Sequence, residues 1–248
     1  MPRLAIIGDV HGAQHKLELV LPQIRNTQPD AILMVGDLGA DKDLLPSALA
    51  VLEQVRELEL PVLFVPGNHD LPDLPDHAGA RNVDHRVLEL CSLRVWGIGG
   101  AGPNEWGFPY EWSEDMLRHR PRERADILLA HCPPIHTTLD PTTQGKPAGS
   151  LAMRQLLAEG RFDLMFCGHI HESPGCEQVE GVVCVNAGAL GSPFGAPQFM
   201  VVDWGEASID VRHIVLPYVL QPETLPWLRG MRWGPDPGER SWSYPRRG

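Results

Sequence analysis

Nothing in these 248 residues reads as a membrane span, since no apolar run approaches the ~20 residues a helix needs to cross a bilayer. Disulfide signals are missing too. The five cysteines (Cys91, Cys132, Cys167, Cys176, Cys184) are odd in number and scattered, with no CxxC pair. That spacing excludes a stapled mini-domain and a Cys-rich zinc knot, and leaves free thiols in a reducing compartment. After Met1-Pro2-Arg3 the first apolar stretch ends at Asp9, too short for a secretory leader, so the cytoplasm is the expected location. Basic residues are in deficit: 21 Lys and Arg face 32 Asp and Glu, a net charge of −11. Holding DNA or an acidic membrane by overall charge is thereby disfavoured, although a local basic groove stays open. Aromatics are 6% of the chain, yet hydrophobic residues reach 43%, enough for an aliphatic core and against wholesale disorder.

What is present is a repeating shape. Short runs of Ile, Leu, Val or Phe occur at Leu4–Ile7, Ala31–Val35, Val62–Val65, Ile127–Ala130 and Leu164–Cys167, as strands buried on both faces should. Between them lie helical periodicities. Leu17, Leu21 and Ile24 share one face; Leu45, Leu49, Leu52, Val55 and Leu58 share another; a third helix over Leu151–Glu159 ends at Gly160. Alternation of strand and helix predicts βαβ units and a mostly parallel sheet. The last third predicts antiparallel strands at Val182–Val185, Gln198–Trp204 and Ala207–Val215, with a turn at Asp203–Glu206, and Val87–Leu90 with Leu93–Trp96 reads as a hairpin turning at Cys91-Ser92.

The unusual residues sit at the ends of the five runs. Gly8-Asp9-Val10-His11-Gly12 follows the first, Gly36-Asp37-Leu38-Gly39 the second and Pro66-Gly67-Asn68-His69-Asp70 the third. His131 follows the fourth, and Gly168-His169-Ile170-His171 the fifth. The carboxyl edge of an open α/β sheet is where ligands bind. Three aspartates, one asparagine and five of the eleven histidines gathered there, without thiolates, suit Mn²⁺, Fe or Zn²⁺. There are too many ligands for one ion, so a pair bridged by a carboxylate is the natural count. In Asp-x-His and His-x-His an extended backbone would send both side chains the same way. The glycines before Asp37, Asn68 and His169 would give the chain room to turn. Singly, Asp9 or Asp37 could be a turn residue or N-cap and His11 or His131 a satisfied core histidine; that reading must be repeated at five strand ends.

The ordered blocks Asp-x-His, Gly-Asp, Gly-Asn-His-Asp, His and Gly-His-x-His resemble the calcineurin-like metallophosphoesterase superfamily, and they span residues 8 to 171. The resemblance implies an α/β fold, a four-layer α/β/β/α sandwich of two mixed sheets flanked by helices. It implies two divalent metal ions, Mn first and Fe or Zn as alternatives. Asp9, His11 and His171 would hold one, Asn68, His131 and His169 the other, with Asp37 bridging. His69 resembles the histidine that assists the leaving group, and Asp70 the acid that orients it. The implied reaction is in-line attack on a phosphoester by hydroxide held on the metals.

One branch fits poorly. The family's protein phosphatases carry Asp-Arg-Gly where this chain has Asp37-Leu38-Gly39, and Glu where it has Asp70. Losing that arginine favours a diester, which carries less charge than a monoester. The small bacterial and archaeal branch that includes cyclic-nucleotide phosphodiesterases is the nearest likeness, and Asn186-Ala187-Gly188-Ala189 loosely resembles its Asn-Pro-Gly-Ser turn. The expected substrate is a small or nucleotide-like phosphodiester. A phosphomonoesterase or protein phosphatase is the alternative, with a non-catalytic metal-binding scaffold and a nuclease ranking below. No membrane partner and no stable nucleic-acid binding are expected.

The remaining stretches are read more plainly. Loops Gly99–Arg124 and Cys132–Gly149 are either pocket walls or surface insertions. Trp106, Tyr110 and Trp112 either pack the first loop down or stack on a base. His15, His77, His85, His119 and His213 are expected at the surface, and His136 is open between pocket and surface. Residues 1–219 are expected as one domain. The stretch 220–248, rich in Pro, Trp and Arg, is a tail either draped over it by Trp227, Trp233 and Trp242 or disordered.

Overall fold

Buried on both faces, the five apolar runs become the strands on which the molecule is built. The computed structural model describes residues 1–40, 42–103, 106–119, 123–191, 196–217 and 236–246. The first half runs β1 (Arg3–Ile7), α1 (Gln14–Thr27), β2 (Ala31–Met34), α2 (Leu44–Val55), β3 (Val62–Phe64), β4 (Ala80–Asn82), β5 (Val87–Leu90) and β6 (Leu93–Ile98). Then follow α3 (Glu114–Arg118), β7 (Ile127–Ala130), α4 (Leu151–Ala158), β8 (Leu164–Cys167), β9 (Gly175–Val179), β10 (Val182–Asn186), β11 (Gln198–Trp204), β12 (Ser208–Val215) and β13 (Gly238–Pro245).

Two mixed sheets result. One has the order β13-β12-β11-β1-β2-β3-β4, the other β5-β6-β7-β8-β10-β9. In the first, β1 to β4 are parallel, with Leu4 opposite Ala31 and Ile32 opposite Val62, while β11 to β13 run antiparallel. In the second, β6, β7, β8 and β10 are parallel, and β5 and β9 are antiparallel edges.

The period-2 pleat divides each run between two cores. From β1, Leu4 and Ile6 enter the core between the sheets, while Ala5 and Ile7 meet Leu17, Val20 and Ile24 of α1. From β8, Leu164 and Phe166 face inward, while Met165 and Cys167 face Met153, Leu156 and Leu157 of α4. Layers therefore stack as helix, sheet, sheet, helix. Each fully buried Ile, Leu or Phe contributes about 1.5–3 kcal/mol, so neither face of a central strand can turn polar cheaply.

Local chemistry explains the turns. Cys91 and Ser92 both take left-handed φ, +52° and +64°, the two-residue geometry that matches strand twist in a hairpin. Gly205 N–H donates to Ser208 across the β11–β12 turn at 2.8 Å. All five cysteines are free thiols; four are buried and Cys91 is exposed. Among the described residues no helix is long and apolar enough to cross a membrane.

Several elements depart from expectation. The strand at Val182 lies parallel to β8, so the predicted antiparallel group is divided between the sheets. Inside loop 99–124 a five-residue helix, α3, starts on Ser113, whose side chain accepts the Met116 N–H. Its Glu114 accepts the N–H of Ala152 at 2.6 Å and so caps α4 as well. Within 220–248, β13 extends the first sheet, and Trp242 and Tyr244 pack on the inter-sheet core; Trp227 and Trp233 lie outside the described residues. His213 is not a surface residue. It lies buried on the inward face of β12, with Nε2 2.7 Å from Gln198 Oε1. Burial, aided by Arg240, pulls its pKa down to about 4 and keeps it neutral.

Candidate metal centre

The parallel strands of both sheets end at one edge, and there the five blocks meet. Asp9 and His11 leave β1, Asp37 leaves β2, Asn68 to Asp70 leave β3, His131 leaves β7, and His169 and His171 leave β8. The backbone that delivers them is not extended. Asp9, His11, Asp37 and His169 all adopt left-handed φ, between +46° and +67°, so the Asp-x-His and His-x-His side chains converge from turns rather than from strand alternation. Four non-glycine residues in that region at one site represent local strain that the surrounding strands hold in place.

The glycines are required for close approach. A Cβ on Gly67 would lie 2.0 Å from Asp37 Oδ1, and one on Gly168 would lie 2.3 Å from Asp9 Oδ2. No side chain fits at either point.

The donor atoms form two sets that share Asp37. In the first, ligand atoms of Asp9, His11, Asp37 and His171 lie within 4.8 Å of one another. His171 Nε2 is 3.1 Å from Asp9 Oδ1 and 3.2 Å from His11 Nε2, and His11 Nε2 is 3.6 Å from Asp37 Oδ2. In the second, Asn68 Oδ1 is 2.8 Å from both His131 Nε2 and His169 Nδ1, and His131 Nε2 is 3.5 Å from Asp37 Oδ1. Ligand atoms around a divalent ion at ~2.0–2.2 Å stand ~3–3.5 Å apart, so both sets fit one.

Tautomer logic strengthens the fit. His131 Nδ1 donates to the Val35 carbonyl at 2.7 Å, which leaves Nε2 in a neutral ring as a bare lone pair. That lone pair points at Asn68 Oδ1 and at Asp37 Oδ1, both acceptors when Asp37 is ionised. A second ring proton could reconcile them, but burial drives the His131 pKa down. A cation satisfies all three.

The electrostatics agree. Burial, helped by the neighbouring imidazoles, lowers His11 to about 3 and His169 well below the usual histidine range. Burial would raise Asp9, but the charge and hydrogen bond of His171 outweigh it and hold Asp9 at about 2. Burial would lower His171, but Asp9 outweighs it and raises that ring. Asp37 is pushed well up, by burial and then by the carboxylates of Asp9 and Asp70. Neutral imidazoles around crowded carboxylates are ready ligands for a divalent cation.

His69 and Asp70 divide their tasks. The His69 N–H donates to Asp37 Oδ1 at 2.8 Å, and its ring stands 5.2 Å from that of His11, at the rim of the first set. Asp70 is fully within the body. Its carboxylate accepts the N–H groups of Leu38, Gly39 and Gly67 at 2.9–3.0 Å and ties the second block to the third. The position where an arginine would emerge is taken by Leu38, buried in the core under α1 and α2.

Other supports were not legible as site residues. Asn186, fully buried, donates to the Leu139 and Ile170 carbonyls at 3.0 Å and accepts the Gly188 N–H, fastening the His169–His171 turn. Asp140 accepts the N–H groups of His136, Thr137 and Gly149 and folds the second loop onto itself. Asn186 ends β10 in the segment whose loose likeness to Asn-Pro-Gly-Ser is noted above, while Asp140 gives only the signal of any loop aspartate. Of the first loop, Tyr110 and Trp112 are packed down, whereas Trp106 stays 48% exposed.

Comparison with known proteins gives the same reading. The profile described as calcineurin-like phosphoesterase matches residues 2–173. An uncharacterized protein of Methanocaldococcus jannaschii is 26% identical over 193 residues, covering 73% of this chain and 85% of that one. A probable cyclic nucleotide phosphodiesterase of Pseudoalteromonas sp. (strain SM9913) is 29% identical over 166 residues, 65% of this chain and 63% of its own length. A crystal structure of a Thermus thermophilus protein superposes with a TM-score of 0.62 at 20% identity, covering 82% of this chain and 94% of that one. With the five ordered blocks converging on one sheet edge and the profile spanning most of the chain, this protein belongs to the calcineurin-like phosphoesterase family.

Proposed function

We propose that the protein is a dinuclear metal-dependent phosphodiesterase acting on small or nucleotide-like diesters. The observation that carries the reading is the doubled acceptor set around Asp37, whose Oδ2 faces His11 and whose Oδ1 faces His131. Asp9, His11, Asp37 and His171 would hold one divalent ion, and Asp37, Asn68, His131 and His169 the second. When bound, such a pair supplies Lewis acidity toward phosphoryl oxygens and a nucleophile at neutral pH. The chain supplies the rest. His69, at the rim, donates a hydrogen bond or proton to the leaving oxygen, an effect of about 10²–10⁴-fold. Asp70 holds the loops bearing Asp37 and Asn68 in mutual register.

Diester preference rests on charge. With Leu38 buried in place of a guanidinium, the site has less cationic help for a dianionic monoester. The name of the Pseudoalteromonas relative supports the same class. Mn is the metal we assign first. Buried free thiols fit a reducing cytoplasm.

The test is a metal-reconstitution series on chelator-stripped protein, assayed on bis-p-nitrophenyl phosphate and p-nitrophenyl phosphate in parallel. Mn²⁺ should restore hydrolysis of the diester in preference to the monoester, with two equivalents retained by elemental analysis. Metal-independent turnover, or a single retained equivalent at saturation, overturns the dinuclear reading. Faster monoester turnover selects the phosphomonoesterase alternative.

A further inference from the structure

At the mouth of the metal centre stands an aromatic group that the chemistry above does not use. Trp106 is the one exposed Trp, Phe or Tyr among the described residues. Its ring centroid lies 6.1 Å from that of the ligand His169 and 6.3 Å from that of Phe108. Phe108 in turn lies 4.3 Å from the ring of His69. Two aromatic faces thus flank the centre, one beside a ligand and one beside the leaving-group histidine.

The segment that carries them is fastened rather than loose. The Glu111 carboxylate accepts the N–H groups of Trp106 and Gly107, with the Gly107 bond at 2.9 Å. Gly107 has φ +77°, which turns the chain between the two rings. Next to it, Tyr110 N–H donates to the carbonyl of Asn68 at 3.1 Å, and its hydroxyl donates to Asp84 at 2.6 Å. Asp84 accepts the Gly99 N–H as well, and the Gly100 N–H donates to the Pro66 carbonyl at 3.0 Å, so the start of the loop as well as Tyr110 is seated on the block that contains Asn68 and His69. A braced indole keeps its face available without a further ordering cost on binding.

Resting on the phosphodiesterase reading, we infer that Trp106 and Phe108 form a stacking shelf for the nucleobase of a nucleoside phosphodiester, and so determine specificity at this site. A pentose is the spacer that separates a base from its phosphorus, and the shelf lies one ring beyond the ligand imidazoles. Both side chains are apolar and lack hydrogen-bonding edges aimed at a base, apart from the indole N–H. The shelf therefore favours planar bases over aliphatic groups and discriminates weakly among bases. Stacking of one base on an aromatic face is worth about 5- to 150-fold in affinity.

The experiment compares wild type, Trp106→Ala and Trp106→Phe on two diesters with one chromophore. These are thymidine 5′-(p-nitrophenyl phosphate) and methyl p-nitrophenyl phosphate, both with Mn²⁺. Trp106→Ala should lose at least tenfold more kcat/KM on the nucleoside diester than on the methyl diester, mainly through KM, and Trp106→Phe should recover most of it. Equal losses on both substrates, or none, overturn the shelf. A binding measurement stands apart from turnover: calorimetry of AMP against ribose 5-phosphate. Wild type should prefer AMP at least fivefold, and Trp106→Ala should erase the preference. If neither diester is hydrolysed by wild type, the phosphodiesterase reading fails while calorimetry still decides the shelf; no preference for AMP overturns the shelf whatever the turnover.

Discussion

Replacing Asp70 by Asn separates two roles that one carboxylate could have. By family resemblance it would orient His69; by its hydrogen bonds it braces the Asp37 turn against the Asn68 turn. Oδ1 accepts Leu38 and Gly39 N–H, and Oδ2 accepts Leu38 and Gly67 N–H. An amide keeps the shape, but whichever way it is turned, its NH₂ faces a backbone N–H. One buried donor is then left unsatisfied, at about 1–3 kcal/mol, and the surviving bonds lose their charge assistance, about 1 kcal/mol more. The sum is about 3 kcal/mol, and for a chain of this size Tm should fall by about 6–12 °C. The assay is thermal unfolding in chelator, where no ion can mask the loss, followed by Mn²⁺ titration, in which affinity should drop because Asp37 and Asn68 lose their register. If D70N unfolds at the wild-type temperature, binds Mn²⁺ normally and loses only turnover, the bracing argument is wrong and the orienting role stands.

Other outcomes follow from the same geometry. His69→Ala should cut kcat by about 10²–10⁴-fold with two metal equivalents retained by elemental analysis. Asp37→Asn should lose metal and activity together, since both ligand sets reach that carboxylate. Gly67→Ala places a methyl 2.0 Å from Asp37 Oδ1 and should weaken metal binding at least tenfold while far-UV circular dichroism stays native. For His213 the folded pKa is depressed, from 6.5 to about 4, so the unfolded chain takes up the proton first. Stability then falls as pH drops from about 6.5 to 4, by about 3 kcal/mol in total. Urea unfolding across that window should show a shallower pH slope in His213→Leu, and an identical slope would refute the buried neutral histidine.

The fold and the meeting of the candidate site residues at one sheet edge were legible for one physical reason. A parallel strand covered on both faces must be apolar at every position, so Leu4–Ile7 or Leu164–Cys167 announces itself, and the polar residues that follow must sit at its end. Elements too short to show a period escaped. Among these are β4, with three residues, β9, with five, and α3, also with five, which is defined by the Ser113 cap instead; β13, longer, was read as part of a tail. The left-handed backbone at Asp9, His11 and His169 escaped as well, because Asp and His carry no signal as plain as glycine for that conformation. On β12 the alternation of Ile209, Val211, His213 and Val215 did hold the answer: a histidine in phase with three buried aliphatics belongs inside with them.

The strand Gly238–Pro245 has a mechanical consequence. Its Tyr244 hydroxyl donates to the Cys176 carbonyl on β9, at the far sheet's margin, while its backbone pairs with β12. One short segment thereby clasps both slabs along their open flank. Deleting it would leave the edge with the candidate site untouched in composition yet unseal the side of the sandwich, wetting Trp204 and Val211. Such a truncated chain would fail by clumping before it failed by chemistry.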